Sequence, residues 1–292
     1  MTKRKKRKTK SNLREKAMLV NLTITGWTGR VKDKKVSNEV CLAKHSNTDS
    51  GAWWTYLVPK DIIATVQSAA MKCRMIHFKY TLPWMDGGIR ILAADMFMKY
   101  SKEMRKAVNE YNDAVDNFLL EYPTIVKNAK KRLGNLYENR QLPSASEIKP
   151  KFAIHQDVFP IPQATDFRCH LDADEVETIR DNITKSVETL TEKAMSNLWE
   201  QFAALIEKIE KTMRQPKKIF RDSLIENLSN FCELIPKMNL TQDNNLEELR
   251  KEAVKKLAEL KPIDLRESRK DRRKAHKSAK EIMEKIKGYT KQ

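Results

Sequence analysis

The sequence predicts a mainly α-helical protein. A small N-terminal α/β unit leads into long antiparallel helices, a coiled-coil-like arm, and ends in a short C-terminal helical bundle. Three observations predict this. Apolar side chains alternate over 19–27 and again over 74–80, which is the period of a half-buried strand. From Phe97 onward they recur at the three-, four- and seven-residue steps of a helix. The chain also has only seven glycines, few for a β-barrel or for a nucleotide fold built on glycine loops.

In order along the chain, Val20, Leu22 and Ile24 share one face of a strand, with Asn21, Thr23 and Thr25 on the other. Gly26 and Gly29 bracket Trp27 and permit a turn. Residues 33–45 read as a helix ending near His45, and Asp61 to Cys73 as a second, short one. Residues 74–80 (RMIHFKY) alternate, which predicts a strand with His77 on its polar side. Gly87-Gly88 is a turn rather than a phosphate cradle, and Ile89–Leu92 reads as a third strand.

Over 94–136, Phe97, Met104, Tyr111, Phe118 and Ile125 form one heptad series; Ser101, Val108, Val115, Tyr122, Ala129 and Leu136 form its partner. A kink or short break is expected at Pro123. Prolines at 143, 150, 160 and 162 keep residues 138–173 irregular, with a capping box at Ser144 and Glu147 and an edge strand over 151–159. A second long helix fills 174–213, with Asp172 as N-cap and a stripe from Val176 to Ile209. Three shorter helices follow at about 217–234, 243–260 and 265–287. The expected organisation is therefore a basic disordered tail (1–16), an α/β unit (17–93), a long helical arm (94–137) and a Pro-rich extended connector (138–173). A long helix with short helices (174–262) and a basic C-terminal helix (263–292) complete it.

Charge is the feature that bears on function. Of the net +18, two terminal segments hold most: residues 1–10 carry seven Lys/Arg and no acid, and 266–291 carry eleven against four acids. The remainder has 39 basic and 35 acidic side chains, close to balance. Cationic ends attract polyanions, of which phosphate backbones are the usual ones. The candidate nucleic-acid-binding residues are Lys3, Arg4, Lys5, Lys6, Arg7 and Lys8, together with Arg269, Lys270, Arg272, Arg273, Lys274 and Lys277 of the C-terminal helix. That helix has two other readings: it pairs with the acidic face of a partner, or it is merely solvated. Trp53, Trp54 and Tyr56 lie near Lys60 and are candidate base-stacking residues. The competing reading, which the pattern favours, has two of the three rings filling the core of the α/β unit. The same choice applies to Trp84.

No catalytic signature is present: no phosphate-binding glycine loop, GxGxxG, HExxH or GxSxG occurs. Cys41, Cys73, Cys169 and Cys232 are far apart and read as reduced, packed thiols. Cys169, His170, Asp172 and Asp174 are the densest group of metal-ligand types, but neighbours in an extended segment point to opposite faces. No enzyme activity, cofactor or metal is expected. No uncharged apolar run approaches a membrane span, and the basic N-terminus lacks the apolar core of a secretory signal.

Five phrases add a resemblance: LVNLTITGWTGRVKDKK (19–35), TLPWMDGGIRIL (81–92), FPIPQATDFR (159–168), KIFRDSLIENL (218–228) and LIPKMNLTQD (234–243). In that order they resemble a family of tailed-phage and mobile-element proteins catalogued as a domain of unknown function. The resemblance spans roughly 18–285 and leaves the Lys-rich residues 1–10 outside it. It brings no catalytic residues. It implies a setting in the cytoplasm of a bacterial host, beside a MoxR-type AAA+ ATPase and a von Willebrand A-domain protein. Two functions are therefore expected. One is a non-enzymatic accessory protein of phage DNA metabolism that binds DNA, single- or double-stranded. The other is a helical adaptor or structural protein, a homo-oligomer or a partner of that ATPase system.

Overall fold

A computed structural model describes residues 13–137, 142–167, 169, 172–215 and 219–289. The fold is mainly α, with a small N-terminal α/β part followed by long helices. By their contacts the described residues divide into two discontinuous units, one within 13–21, 80–98 and 157–289 and one within 22–79 and 99–156. The α/β residues are shared between them.

The elements run as follows: α1 (Leu13–Lys16), β1 (Ala17–Thr25), β2 (Arg30–Asp33), α2 (Lys34–Ala43), β3 (Trp53–Tyr56), α3 (Lys60–Tyr80), β4 (Thr81–Pro83) and β5 (Arg90–Ala93). Then come α4 (Phe97–Leu133), α5 (Ala145–Ile148), β6 (Ala153–Phe159), α6 (Ala173–Met213), α7 (Ser223–Met238), α8 (Asn244–Ala253), α9 (Pro262–Glu267) and α10 (Arg269–Tyr289). Residues 13–16, expected in the tail, are thus a helical turn, and Arg14 donates to Gln163 and Asp166 at 3.1 Å.

In the 22–79/99–156 unit, α3 and α4 pack antiparallel. Lys79 pairs with Glu103 at 3.3 Å, His77 Nδ1 meets Tyr100 Oη at 2.9 Å, and Lys72 pairs with Glu110. Residues 74–80 are therefore the last turns of α3, not a strand, and His77 is buried, not solvent-facing. The buried series of α3 is Ile63, Val66, Ala70, Cys73, His77 and Tyr80, at alternating steps of three and four.

Helix α4 is continuous through Pro123, so the expected break does not occur; the ring sits on the exposed side and costs only one backbone hydrogen bond. Its buried ridge contains Tyr100, Tyr111, Tyr122 and Leu133, eleven residues apart, with Ala107, Phe118 and Ala129 in a parallel row. An 11-residue repeat stays in phase with 3.67 residues per turn. Ser101 and Val108 of the heptad reading consequently drift to the margin and are only half-buried.

Each of the three tyrosine hydroxyls of this ridge finds a partner on another segment. Tyr100 Oη also accepts from Gln156 Nε2 at 2.8 Å, Tyr111 donates to the Thr25 carbonyl at 3.1 Å, and Tyr122 donates to the Pro143 carbonyl at 2.7 Å. Burial pushes the Tyr100 and Tyr122 phenols up to about 12. Trp27 packs edge-on against Tyr122, and Phe118 against Phe152, with centroids 5.8 Å and 5.7 Å apart. Ser144 and Glu147 form the expected capping box of α5.

In the other unit, Ala17–Val20 of β1 pairs antiparallel with Arg90–Ala93 of β5, which pairs in turn with β4. Gly87, at φ +82°, makes the turn between β4 and β5. Trp84 is buried there. The antiparallel partner of α6 is α10: His276 Nε2 lies 2.9 Å from Glu210, an Arg272 guanidinium nitrogen donates to the Thr212 carbonyl at 3.2 Å, and the Trp199 and Tyr289 rings are 6.2 Å apart. Leu198, Phe202, Ile206 and Ile209 of α6 are fully buried, whereas Val176, Ile179, Ile183, Val187 and Leu190 nearer its start are only half-buried.

Asp172 precedes α6 in extended geometry but makes no side-chain cap bond. Helix α7 runs through Pro236 to Met238, and Pro262 occupies the first turn of α9. Cys41, Cys73 and Cys232 are buried free thiols, and burial raises Cys232 to about 12; Cys169 is exposed, against the packed reading.

The ridge of α4 gives a direct test. Val115→Asp buries an unpaired carboxylate and should cost about 3–5 kcal/mol in urea denaturation. Val108→Asp, at the margin, should cost about 1 kcal/mol or less. Equal losses would refute the 11-residue ridge.

Candidate nucleic-acid interface

Ser268 precedes helix α10 and caps it, its hydroxyl accepting the Asp271 amide at 3.1 Å. From there the helical period sorts its cations. Ala275, Ser278, Ala279, Ile282 and Ile286 are buried and fix which side faces α6. Arg269, Lys270, Arg273, Lys274, Lys277 and Lys280 are exposed on the opposite side. Arg269, Arg273, Lys277 and Lys280 follow one another at steps of four, four and three, so they form a single stripe. The stripe is about 17 Å long, a length over which duplex DNA carries on the order of ten charges.

Arg272 does not belong to it. Its side chain is 5% exposed, donates to the Thr212 carbonyl in the last turn of α6, and stacks on the Phe220 ring with Cζ 5.6 Å from the centroid. It is a structural cation that satisfies a carbonyl at the negative end of a helix, and its assignment to phosphate contact is corrected. Arg266 is committed in the same way. It donates to the Phe220 carbonyl at 3.0 Å, pairs with Asp222 and lies 5.1 Å from the Phe220 ring centroid.

The end of α10 is held by ion pairs to neighbouring residues on α8 and just beyond it. Lys285 reaches Glu252 at 2.7 Å and Lys256 reaches Glu281 at 3.3 Å. Burial pushes the Glu252 carboxyl up, yet hydrogen bonds from Lys256 and Lys285 hold it below the usual carboxylate range. Lys3, Arg4, Lys5, Lys6, Arg7 and Lys8 lie outside the described residues.

The second set of candidates is in the other unit. Strands β2 and β3 form a two-stranded antiparallel ribbon with Arg30 opposite Tyr56, Lys32 opposite Trp54 and Asp33 opposite Trp53. Gly29, at φ +64°, closes its end: a Cβ there would collide with Val58, and its carbonyl accepts the Leu57 amide at 2.7 Å. Alternation puts Asp33 and Thr55 inside, where Thr55 donates to the Asp33 carboxylate at 3.2 Å and the same carboxylate caps α2 through the Val36 amide at 3.1 Å.

The outer face then carries Arg30, Lys32, Trp54 and Tyr56. Arg30 Cζ lies 4.8 Å from the Trp54 centroid, and Lys60 Nζ lies 4.2 Å from the Tyr56 centroid. Arg132 of α4 donates to the Tyr56 carbonyl at 2.7 Å. Of the five tryptophans only Trp53 (45%) and Trp54 (43%) are exposed, so the reading that two of the three rings fill the core is overturned. Trp53 lies on the other face from Trp54 and Tyr56. A cleft of about 590 Å³ in the same unit is lined by Lys35 of α2, Lys130 of α4 and Tyr137, with Glu39 its one acid.

Sequence reasoning found the rings and Lys60 but not Arg30, Lys32, Lys35 or Lys130. The signal for Arg30 and Lys32 was present: RVKD alternates and WWTY has high β-propensity, so the two segments form a strand pair across α2. Among the described residues no three His, Cys, Asp or Glu side chains cluster to hold a metal, and no helix is long and apolar enough to cross a membrane. His170 of the Cys169 group lies outside the described residues. No family model, curated protein or solved structure matches the chain. The likeness to the phage and mobile-element family therefore rests on its sequence phrases.

The sorting of α10 is testable in one melt series. Arg272→Ala should lower stability by about 1.5–3 kcal/mol, since it strips a charged donor from a buried carbonyl. Arg273→Ala should stay within about 0.5 kcal/mol of the parent. Calorimetric Tm values separate the two, and equal values would return Arg272 to the solvent-facing set.

Proposed function

We propose that this protein is a non-enzymatic nucleic-acid-binding accessory protein of phage DNA metabolism, acting in the cytoplasm of the bacterial host. The observation that carries the reading is the solvent stripe of α10. Six cations share one helical face, and the opposite face is consumed by packing on α6. A helix so arranged contacts a phosphate backbone without reading sequence. The basic segment at residues 3–8 adds charge of the same sign.

Binding of this kind releases counterions. For six neutralised phosphates the slope of log K against log salt is about −5 on duplex DNA. The triple charge reversal of Arg273, Lys274 and Lys277 to Glu should reduce its magnitude by about three, and deletion of residues 1–10 should reduce it further. Fluorescence anisotropy with labelled DNA measures this. An intact protein that ignores both single- and double-stranded DNA at about 50 mM salt is not a nucleic-acid binder.

One observation favours a second reading, a helical adaptor that partners a MoxR-type AAA+ ATPase and von Willebrand A-domain system or forms homo-oligomers. Met71, Met75 and Phe78 of α3 are each more than half exposed and lie at steps of four and three on one face. Exposed methionine stripes suit adaptable protein contacts. Met75→Asp should then abolish co-purification of such a partner while leaving Tm unchanged. Retained co-purification would count against the stripe.

A further inference from the structure

We infer that the outer face of the β2–β3 ribbon is a stacking platform for single-stranded nucleic acid. This rests on the nucleic-acid reading above but concerns the other unit and a different energy term. Trp54 and Tyr56 stand two residues apart on one strand, so their rings project on the same side about 7 Å apart along it. Each ring has a cation against it, Arg30 at 4.8 Å and Lys60 at 4.2 Å. Lys32 lies opposite Trp54, and no acid occupies this face of the ribbon.

An indole 43% exposed on a two-stranded ribbon is not there for the core. The inner face fulfils that need with the buried Asp33, Ser37 and Thr55 network, in which the Trp53 amide donates to Ser37 at 2.8 Å. The chemistry recognised is an unpaired base beside a phosphate. In a duplex the base faces are already stacked and hidden, so this surface discriminates for single strands. The cleft lined by Lys35 and Lys130 supplies further cations in the same unit: Lys35 lies two residues beyond Asp33, the last residue of β2, and Lys130 lies two residues before Arg132, which holds the Tyr56 carbonyl. An acidic protein segment is the alternative occupant, and it predicts no single-strand effect.

The test compares single-stranded oligothymidine with duplex DNA of equal length on the full chain. Trp54→Ala and Tyr56→Ala should each weaken single-strand affinity by roughly five- to 150-fold, and leave duplex affinity within about twofold. Trp54→Phe, which keeps a ring, should recover most of the loss. Intrinsic tryptophan fluorescence should be quenched by oligothymidine in the parent and not in the Trp53→Phe/Trp54→Phe double variant. Because the Trp53 and Trp54 rings are exposed, Tm should be unchanged in their variants, which excludes misfolding as the cause; for the half-buried Tyr56, Tyr56→Phe, which keeps the ring, should keep both the parent Tm and the single-strand affinity.

Unaltered single-strand affinity in both alanine variants overturns this inference, while duplex binding with the salt slope of α10 leaves the broader reading standing. Equal loss on both DNAs also overturns it, since that is what a purely electrostatic face gives. A parent protein that binds neither DNA overturns both.

Discussion

The packing of α10 on α6 is the constraint from which the exposed stripe of cations follows. A helix can bury only one side, and α10 buries a narrow one, built from Ala275, Ser278, Ala279, Ile282 and Ile286. The small residues at its start let the backbone approach α6, and the two isoleucines contribute about 1.5–3 kcal/mol each by burial. Once that side is fixed, every cation falls in or out by its angle. An unpaired buried charge costs several kcal/mol, so a cation on the boundary goes inward only with partners. Arg272 has them in the Thr212 carbonyl and the Phe220 ring; the six outward cations stay in water. The exposed stripe is thus a product of core packing rather than of charge composition alone.

The other unit obeys a similar rule through polar atoms. The hydroxyls of Tyr100, Tyr111 and Tyr122 emerge from one face of α4 at every third turn, and each ends on a different segment. A phenol buries a large apolar ring but requires a partner for its oxygen. The three tyrosines therefore fix the rotation of α4 as well as its packing. That rotation sets the orientation of the last turns of α4, where Arg132 holds the Tyr56 carbonyl and Leu133 joins Leu57 in the core. The ribbon is positioned by a core that lies several turns away from its own rings.

These two mechanisms explain what could be read in the chain. Strand β1, helix α2, the long helices and the capping box at Ser144 were legible, because each is marked by local spacing or a single cap. The end of α3 was not. Its buried face uses Cys73, His77 and Tyr80, while Met71, Met75 and Phe78 face solvent, so hydropathy points to the wrong side. His77 is buried with Tyr100 as a partner, 23 residues away in sequence. The pairing of α6 with α10 was not read, because it depends on the small-residue face that Ala275, Ser278 and Ala279 give α10. Arg272 could not be separated from Arg273 by type or by neighbours; only the phase of Ala275 and Ala279 divides them. The ribbon was missed because β2 and β3 pair across an intervening helix, and each is only four residues long.

The contacts already made by Arg30 and Lys60 bear on whether the ribbon is available to a ligand. A cation over an aromatic face at an exposed site is worth about 0.5–1 kcal/mol. Stacking a base on such a ring is worth about 1–3 kcal/mol, and the displaced cation gains a phosphate as its new partner. The resident contact is the weaker of the two, so it holds the rings in place without closing them off. It also keeps the two side chains from collapsing onto the ribbon as an apolar pair. The same arithmetic separates the two candidate surfaces. A phosphate contact through the stripe of α10 would act by charge alone and fade as salt screens it, whereas a base stacked on Trp54 would keep most of its energy at any ionic strength. A protein with both would hold duplex and single strand by different physics, with the balance shifting toward unpaired bases as the medium grows saltier.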